Sequence, residues 1–152
     1  MFDPANYAAI LDTMTLECIV GWGQKLAVQL MQNGYLSNPL GVDLCPGTFN
    51  VYANGDHRVI GDGFDPGGVR QNGGLRALPC TANGHDGFIV RNERRGPAAD
   101  RLGMEDNCTL FEIVSPTHLR NALGVTDGDR VILEYDPAEA KFFPLRSVGD
   151  ST

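Results

Sequence analysis

Short alternations of apolar and polar residues, closed by Gly, Pro, Asn or Asp, recur along the chain. A period of two belongs to a strand with one covered face. It predicts strands over 16–20, 25–30, 49–53, 87–90, 109–114 and 130–135, each rich in Val, Ile, Leu or Phe. In the third, Phe49 and Val51 share the hidden face, so Thr48 and Asn50 stand together on the other, just past a Pro46-Gly47 turn. Two helices are predicted. One covers 5–14, with Asp3 as N-cap and Pro4 in the first turn. The other has Ser115 as N-cap, Pro116 at its first position and Gly124 just past its end, with Leu119, Ala122 and Leu123 on one buried face. Its start offers unpaired N–H groups suited to an anion.

Between the strands the pattern breaks down. Residues 54–83 are dense in Asn-Gly, Asp-Gly and Pro-Gly steps and are expected to form a long loop, lid or flap. A second loop is expected over 91–107. It carries Arg91, Arg94, Arg95 and Arg101, four of the chain's 12 basic residues, either balancing nearby acids or facing a phosphate. Many short strands with little helix predict a mainly β fold: a small six-stranded-type barrel with one or two short helices and long Gly-rich loops, a sandwich being the rival. Residues 1–152 are expected to form a single barrel domain, a typical size with room for a core.

Composition narrows the function. The net charge of −7 sets most of the surface against a phosphate backbone, so neither a nucleic-acid nor a membrane partner is expected. Cys18, Cys45, Cys80 and Cys108 are far apart, without a CxxC pair; three of them sit in or beside apolar runs, where free cysteine acts as a small hydrophobe, and a reducing, cytoplasmic setting is expected. His57, His85 and His118 lack a nucleophile motif beside them, which argues against hydrolytic catalysis.

Three segments resemble the CTP-dependent riboflavin kinases of archaeal type, which are cradle-loop barrels. Leu40-Gly41 with Pro46-Gly47-Thr48-Phe49-Asn50-Val51 is similar to that family's LGF…PGTLNV signature. Residues 112–133, from Glu112 through Pro116, Leu119, Arg120 and Asp127-Gly128-Asp129, are similar to its EIIAP…LRE…L…DGD ending. Gly21-Trp22-Gly23 stands where the family has a longer glycine-rich loop.

The resemblance implies roles residue by residue. Thr48 and Asn50 would hold the Mg²⁺ that accompanies the nucleotide phosphates, a cation that prefers hard oxygen ligands. Gly21, Trp22, Gly23 and Lys25, with Thr117, His118, Leu119 and Arg120, would bind the nucleotide. Glu112 would be catalytic and lie at the acceptor, where a carboxylate can orient or deprotonate an alcohol. Alternation with Phe111 and Ile113 turns Glu112 away from the core, to an exposed face. Met104 falls near the position of a flavin-binding Thr. The implied activity is transfer of the γ-phosphoryl of CTP to riboflavin, giving FMN. The alternatives are the same transfer to another small alcohol, such as a sugar or biosynthetic intermediate, and a cradle-loop domain that binds without catalysing.

Overall fold

The computed structural model describes residues 13–23, 37–59 and 74–144. Within them the chain is mainly β. Seven strands, β1 (Met14–Gly21), β2 (Phe49–Asn54), β3 (Gly74–Ala82), β4 (His85–Arg94), β5 (Cys108–Val114), β6 (Arg130–Tyr135) and β7 (Lys141–Pro144), run with two short helices, α1 (Ser37–Leu40) and α2 (Leu119–Leu123), and a 3-10 turn at Pro137–Glu139. The sheet order is β4-β5-β2-β1-β6-β3-β7, and β3 also pairs with β4. Six antiparallel strands thus close into a barrel, with β7 added at one edge. Closure removes the free edges that a six-stranded open sheet would expose.

The predicted strands are present at 14–21, 49–54, 85–94, 108–114 and 130–135. Inside the barrel, Val20, Phe49, Val51, Leu78, Ile89, Phe111, Ile113, Val131 and Leu133 form one core. Each such side chain contributes about 1.5–3 kcal/mol on full burial. Leu119 of α2 closes this core. All four cysteines are free thiols; Cys18, Cys80 and Cys108 are buried, and burial pushes the thiols of Cys18 and Cys80 up to about 12. No helix among the described residues is long and apolar enough to cross a membrane.

Several expectations are corrected. Part of the expected 54–83 loop is strand β3, followed by an Asn83-Gly84 turn into β4 with both residues at positive φ. The Asn-Gly step that looked like loop punctuation is a two-residue hairpin turn. Pro79 disguised the strand, because a proline cannot donate to a ladder. It is tolerated where β3 changes partner, from β7 over Gly74–Ala77 to β6 over Cys80–Ala82. Arg91 to Arg94 belong to β4 rather than to a loop. Met14 opens β1 instead of ending a helix. Residues 5–12 of the expected helix, the 25–30 strand and residues 60–73 of the expected 54–83 loop lie outside the described residues.

The C-terminal helix starts later than expected. His118, not Ser115, is its N-cap, its Nδ1 accepting from Asn121 N–H at 3.3 Å. Ser115 is already committed, donating to the Asp86 carbonyl at 2.8 Å and accepting from Thr117 N–H at 3.1 Å. Gly124 does end the helix, at φ 67. Leu119 is buried and Leu123 packs half-buried against the same core, whereas Ala122 is exposed.

Candidate active site

The site is built on the outer face of β2 and β5. Phe49 and Val51 point into the barrel, so Asn50 points out, directly opposite Gly21 of β1 and Glu112 of β5. Thr48 Oγ1 donates to Asn50 Oδ1 at 3.1 Å, and Asn50 Nδ2 reaches back to the Thr48 carbonyl at 3.4 Å. The two oxygen-bearing side chains are therefore adjacent and aimed together. The expected exposure of Glu112 is not observed. It faces away from the barrel interior yet is fully shielded, and Asn50 is buried as well, because further chain covers this outer face.

Gly23 is part of that cover. A Cβ there would sit 2.7 Å from Asn50 Oδ1 and closer still to Glu112 Oε1. A residue without a side chain thus keeps open a small cradle edged by an amide oxygen and a carboxylate oxygen, with the Thr48 hydroxyl beside it. These are hard neutral and anionic oxygen donors of the kind Mg²⁺ takes, and their remaining lone pairs suffice when phosphates and waters complete the shell. The residues present fit such an ion. Among the described residues there is no cluster of three or more His, Cys, Asp or Glu suited to a metal, so an all-protein cage is not what this site provides.

Arg91 supplies the counter-charge. A bulge in β4 between Ile89 and Arg91 sets Arg91 opposite Glu112. Its guanidinium lies 2.6 Å from Glu93 and 3.7 Å from Glu112. Bulges re-aim side chains in this way beside functional sites. A shielded carboxylate needs a nearby cation, and the bulge delivers one. Arg95 of the same basic run pairs with Asp100 and Asp106, so these arginines balance acids.

Next to the cradle lies a small open groove. Pro46, Gly47 and Thr48 form one wall, and Thr117, His118, Leu119 and Arg120 the other. The two best-matched sequence segments, some 70 residues apart, thus meet across one groove. Thr117 and His118 are exposed there, while the Leu119 side chain is spent in the core at the groove's edge. Arg120 Nη2 donates to the Gly21 carbonyl at 2.8 Å and to Asp127 at 2.5 Å. Its charge is thus shared with Asp127, and the side chain staples the glycine segment to the Asp127–Asp129 turn. That turn needs glycine at its centre, where Gly128 has φ 91, and it bonds Val20 through both main-chain groups at 2.8 Å.

No family model matches the chain. Curated relatives do. It is 33% identical over 106 residues to a riboflavin kinase of Pyrobaculum arsenaticum, covering 62% of this chain and 46% of the relative. It is 31% identical over 130 residues to a riboflavin kinase of Pyrobaculum aerophilum, covering 76% of this chain and 57% of the relative. A riboflavin kinase of Methanocella arvoryzae matches at 32% over 100 residues, 62% of this chain and 42% of the relative. Over most of its length the chain is thus similar to riboflavin kinases, and these relatives support that family for it. It spans about half the length of the curated relatives it matches.

Set against the family resemblance, the structure brings Thr48, Asn50, Glu112 and Gly23 to one cradle and Thr117 to Arg120 to the groove beside it. Gly21 sits opposite Asn50, and Trp22 is partly exposed at the rim. Lys25 lies outside the described residues. Met104 is elsewhere, half-buried in an open groove with Leu16, Ile19, Ala53 and Asn54. Sequence reasoning missed Arg91 as a neighbour of Glu112, since it set Arg91 in the 91–107 loop rather than in β4. It also missed Tyr52, whose phenol is fully buried on the outer face. A large aromatic at a position the alternation assigns to solvent was the available signal.

Proposed function

We propose that this domain transfers the γ-phosphoryl group of CTP, with Mg²⁺, to a primary hydroxyl, and that riboflavin is the acceptor and FMN the product. The observation that carries the reading is the cradle beneath Gly23. Thr48, Asn50 and Glu112 converge there, at the edge of the groove that ends at the start of α2. The riboflavin kinase relatives support the acceptor, and the PGT-x-N and DGD segments support CTP as donor.

Phosphoryl transfer asks for positioning and charge neutralisation more than for covalent chemistry. Thr48 Oγ1 and Asn50 Oδ1 would hold Mg²⁺, which supplies positive charge to the phosphates when bound. The glycine segment lets main-chain N–H groups approach the phosphates closely. The main chain at Thr117 to Arg120 forms the opposite wall. Glu112 orients the acceptor hydroxyl and accepts its proton as the oxygen bonds to phosphorus and the bond to the leaving nucleoside diphosphate breaks. Arg91, held by Glu93, keeps that carboxylate in place.

Met104 favours a second reading in the same class. Its thioether is a poor partner for the polar groups of a flavin, which fits transfer to another small alcohol. The deciding experiment incubates the chain with Mg²⁺, riboflavin and either CTP or ATP, and follows FMN and nucleoside diphosphate by chromatography. FMN with CTP is expected. CDP release only with other alcohols would select the second reading. CTP binding without turnover on any acceptor would leave a binding domain.

A further inference from the structure

Tyr52 has no part in the chemistry above, yet its phenol is fully buried two residues along β2 from Asn50. Its hydroxyl donates to the Trp22 carbonyl at 2.5 Å and accepts from the Ala98 N–H at 3.0 Å. One oxygen therefore joins two segments that are far apart in sequence. Trp22 belongs to the glycine segment on the nucleotide side. Ala98 begins a turn that ends at Met104, the residue that the family resemblance puts on the acceptor side, apart from the cradle itself.

The packing makes this link stiff. A Cβ on Gly21 would lie 3.0 Å from the Tyr52 ring and 2.7 Å from Leu102 Cδ1. A Cβ on Gly96, at φ 52, would lie 2.7 Å from the Tyr52 oxygen. Both segments press on the phenol so closely that only glycine fits. The turn moves as a unit, because Leu102 N–H bonds the Ala98 carbonyl at 3.0 Å and Met104 N–H bonds the Ala99 carbonyl at 3.0 Å. Shifting Trp22 must shift Tyr52 or break a buried hydrogen bond, and shifting Tyr52 shifts the turn.

We propose that Tyr52 is a positioning residue that couples the nucleotide side of the site to the acceptor side, so that occupancy of either pre-orders the other. The inference rests on the functional reading above. Coupling of this kind is reciprocal, and typical cases change affinity about 5- to 150-fold.

The test uses calorimetric titration of riboflavin into the full chain, with and without saturating Mg²⁺ and CDP, which avoids turnover. In the unaltered chain the nucleotide is expected to tighten riboflavin binding about fivefold or more. In Tyr52→Phe that ratio falls to near one, while each ligand alone binds almost as before. A Tyr52→Phe ratio equal to that of the unaltered chain overturns the proposal, as does a ratio of one in the unaltered chain. A second measurement needs no variant. Mg²⁺ and CDP alone should slow amide hydrogen exchange at Ala98 and Leu102, and unchanged exchange there is equally fatal. If the unaltered chain binds neither ligand, coupling and functional reading fall together; if it binds both without coupling, only the coupling falls.

Discussion

β2 and β6 are both six-residue strands, and both pair with β1, one on each side. Their outer faces differ. Along β6, buried Val131, Leu133 and Tyr135 alternate with exposed Arg130, Ile132 and Glu134. Along β2, five consecutive residues are buried, because Gly23 lies over Asn50 while Ala98 and Ala99 pack with Tyr52. β5 is buried throughout. The barrel is thus a plain wall on the β6 side and a double wall on the β2–β5 side. The second wall shields Asn50 and Glu112 from bulk water, and polar groups act on one another more strongly once water is excluded.

The largest effect expected from this difference comes from the paired substitutions Glu112→Gln and Glu134→Gln. Phosphoryl transfer to the acceptor should fall about 10²- to 10³-fold in the first, the loss of a positioned acid–base group. The second removes an exposed charge from β6 and should leave turnover unchanged and stability within about 0.5 kcal/mol. Equal turnover in the two variants would break the distinction between the walls.

Gly23→Ala is the next step down. The added methyl meets Asn50 and Glu112, so the glycine segment must rise or the cradle must open. Turnover should drop about tenfold or more through misplacement of the reacting groups. Circular dichroism should show the same β content, since the barrel interior is untouched. Wild-type turnover in that variant would mean that the cradle is not used.

The smallest effect is a titration. Burial pushes both Tyr135, inside the barrel, and Tyr52, between the walls, up from 10.0 to about 12. A phenol whose folded value lies above its unfolded one adds stability in full below pH 10, and that contribution is lost as the pH rises through about 12. The difference in absorbance at 295 nm between the unaltered chain and Tyr52→Phe should therefore show the Tyr52 phenolate only near pH 12. Ionisation near pH 10 would show that water enters between the walls.

Much of this architecture could be read from the sequence, and the failures have physical causes. Alternation found β6 to the residue, and it put Phe49 and Val51 inward with Asn50 outward. It failed at Arg91, which was read as the start of a loop although β4 runs on to Arg94, and at β3, because Pro79 and Asn83-Gly84 carry the marks of a loop. It also placed Glu112 in solvent, since a strand pattern reports which way a side chain points and not what lies over it. Thr48 and Asn50 could be paired by reading two positions along one strand. That Arg120 serves Gly21, 99 residues away, could not.

Period and punctuation are local properties, set by φ/ψ preferences and by which neighbours must avoid water. They were enough to determine a mainly β chain, the inward face of most strands, and the turn at Gly128 and helix end at Gly124. The tertiary structure decided the rest: barrel closure through β3 and β4, the covering of β2 and β5, and the cradle that Gly23 leaves open. Those depend on contacts between distant segments, whose free energy exists only after the chain has closed on itself.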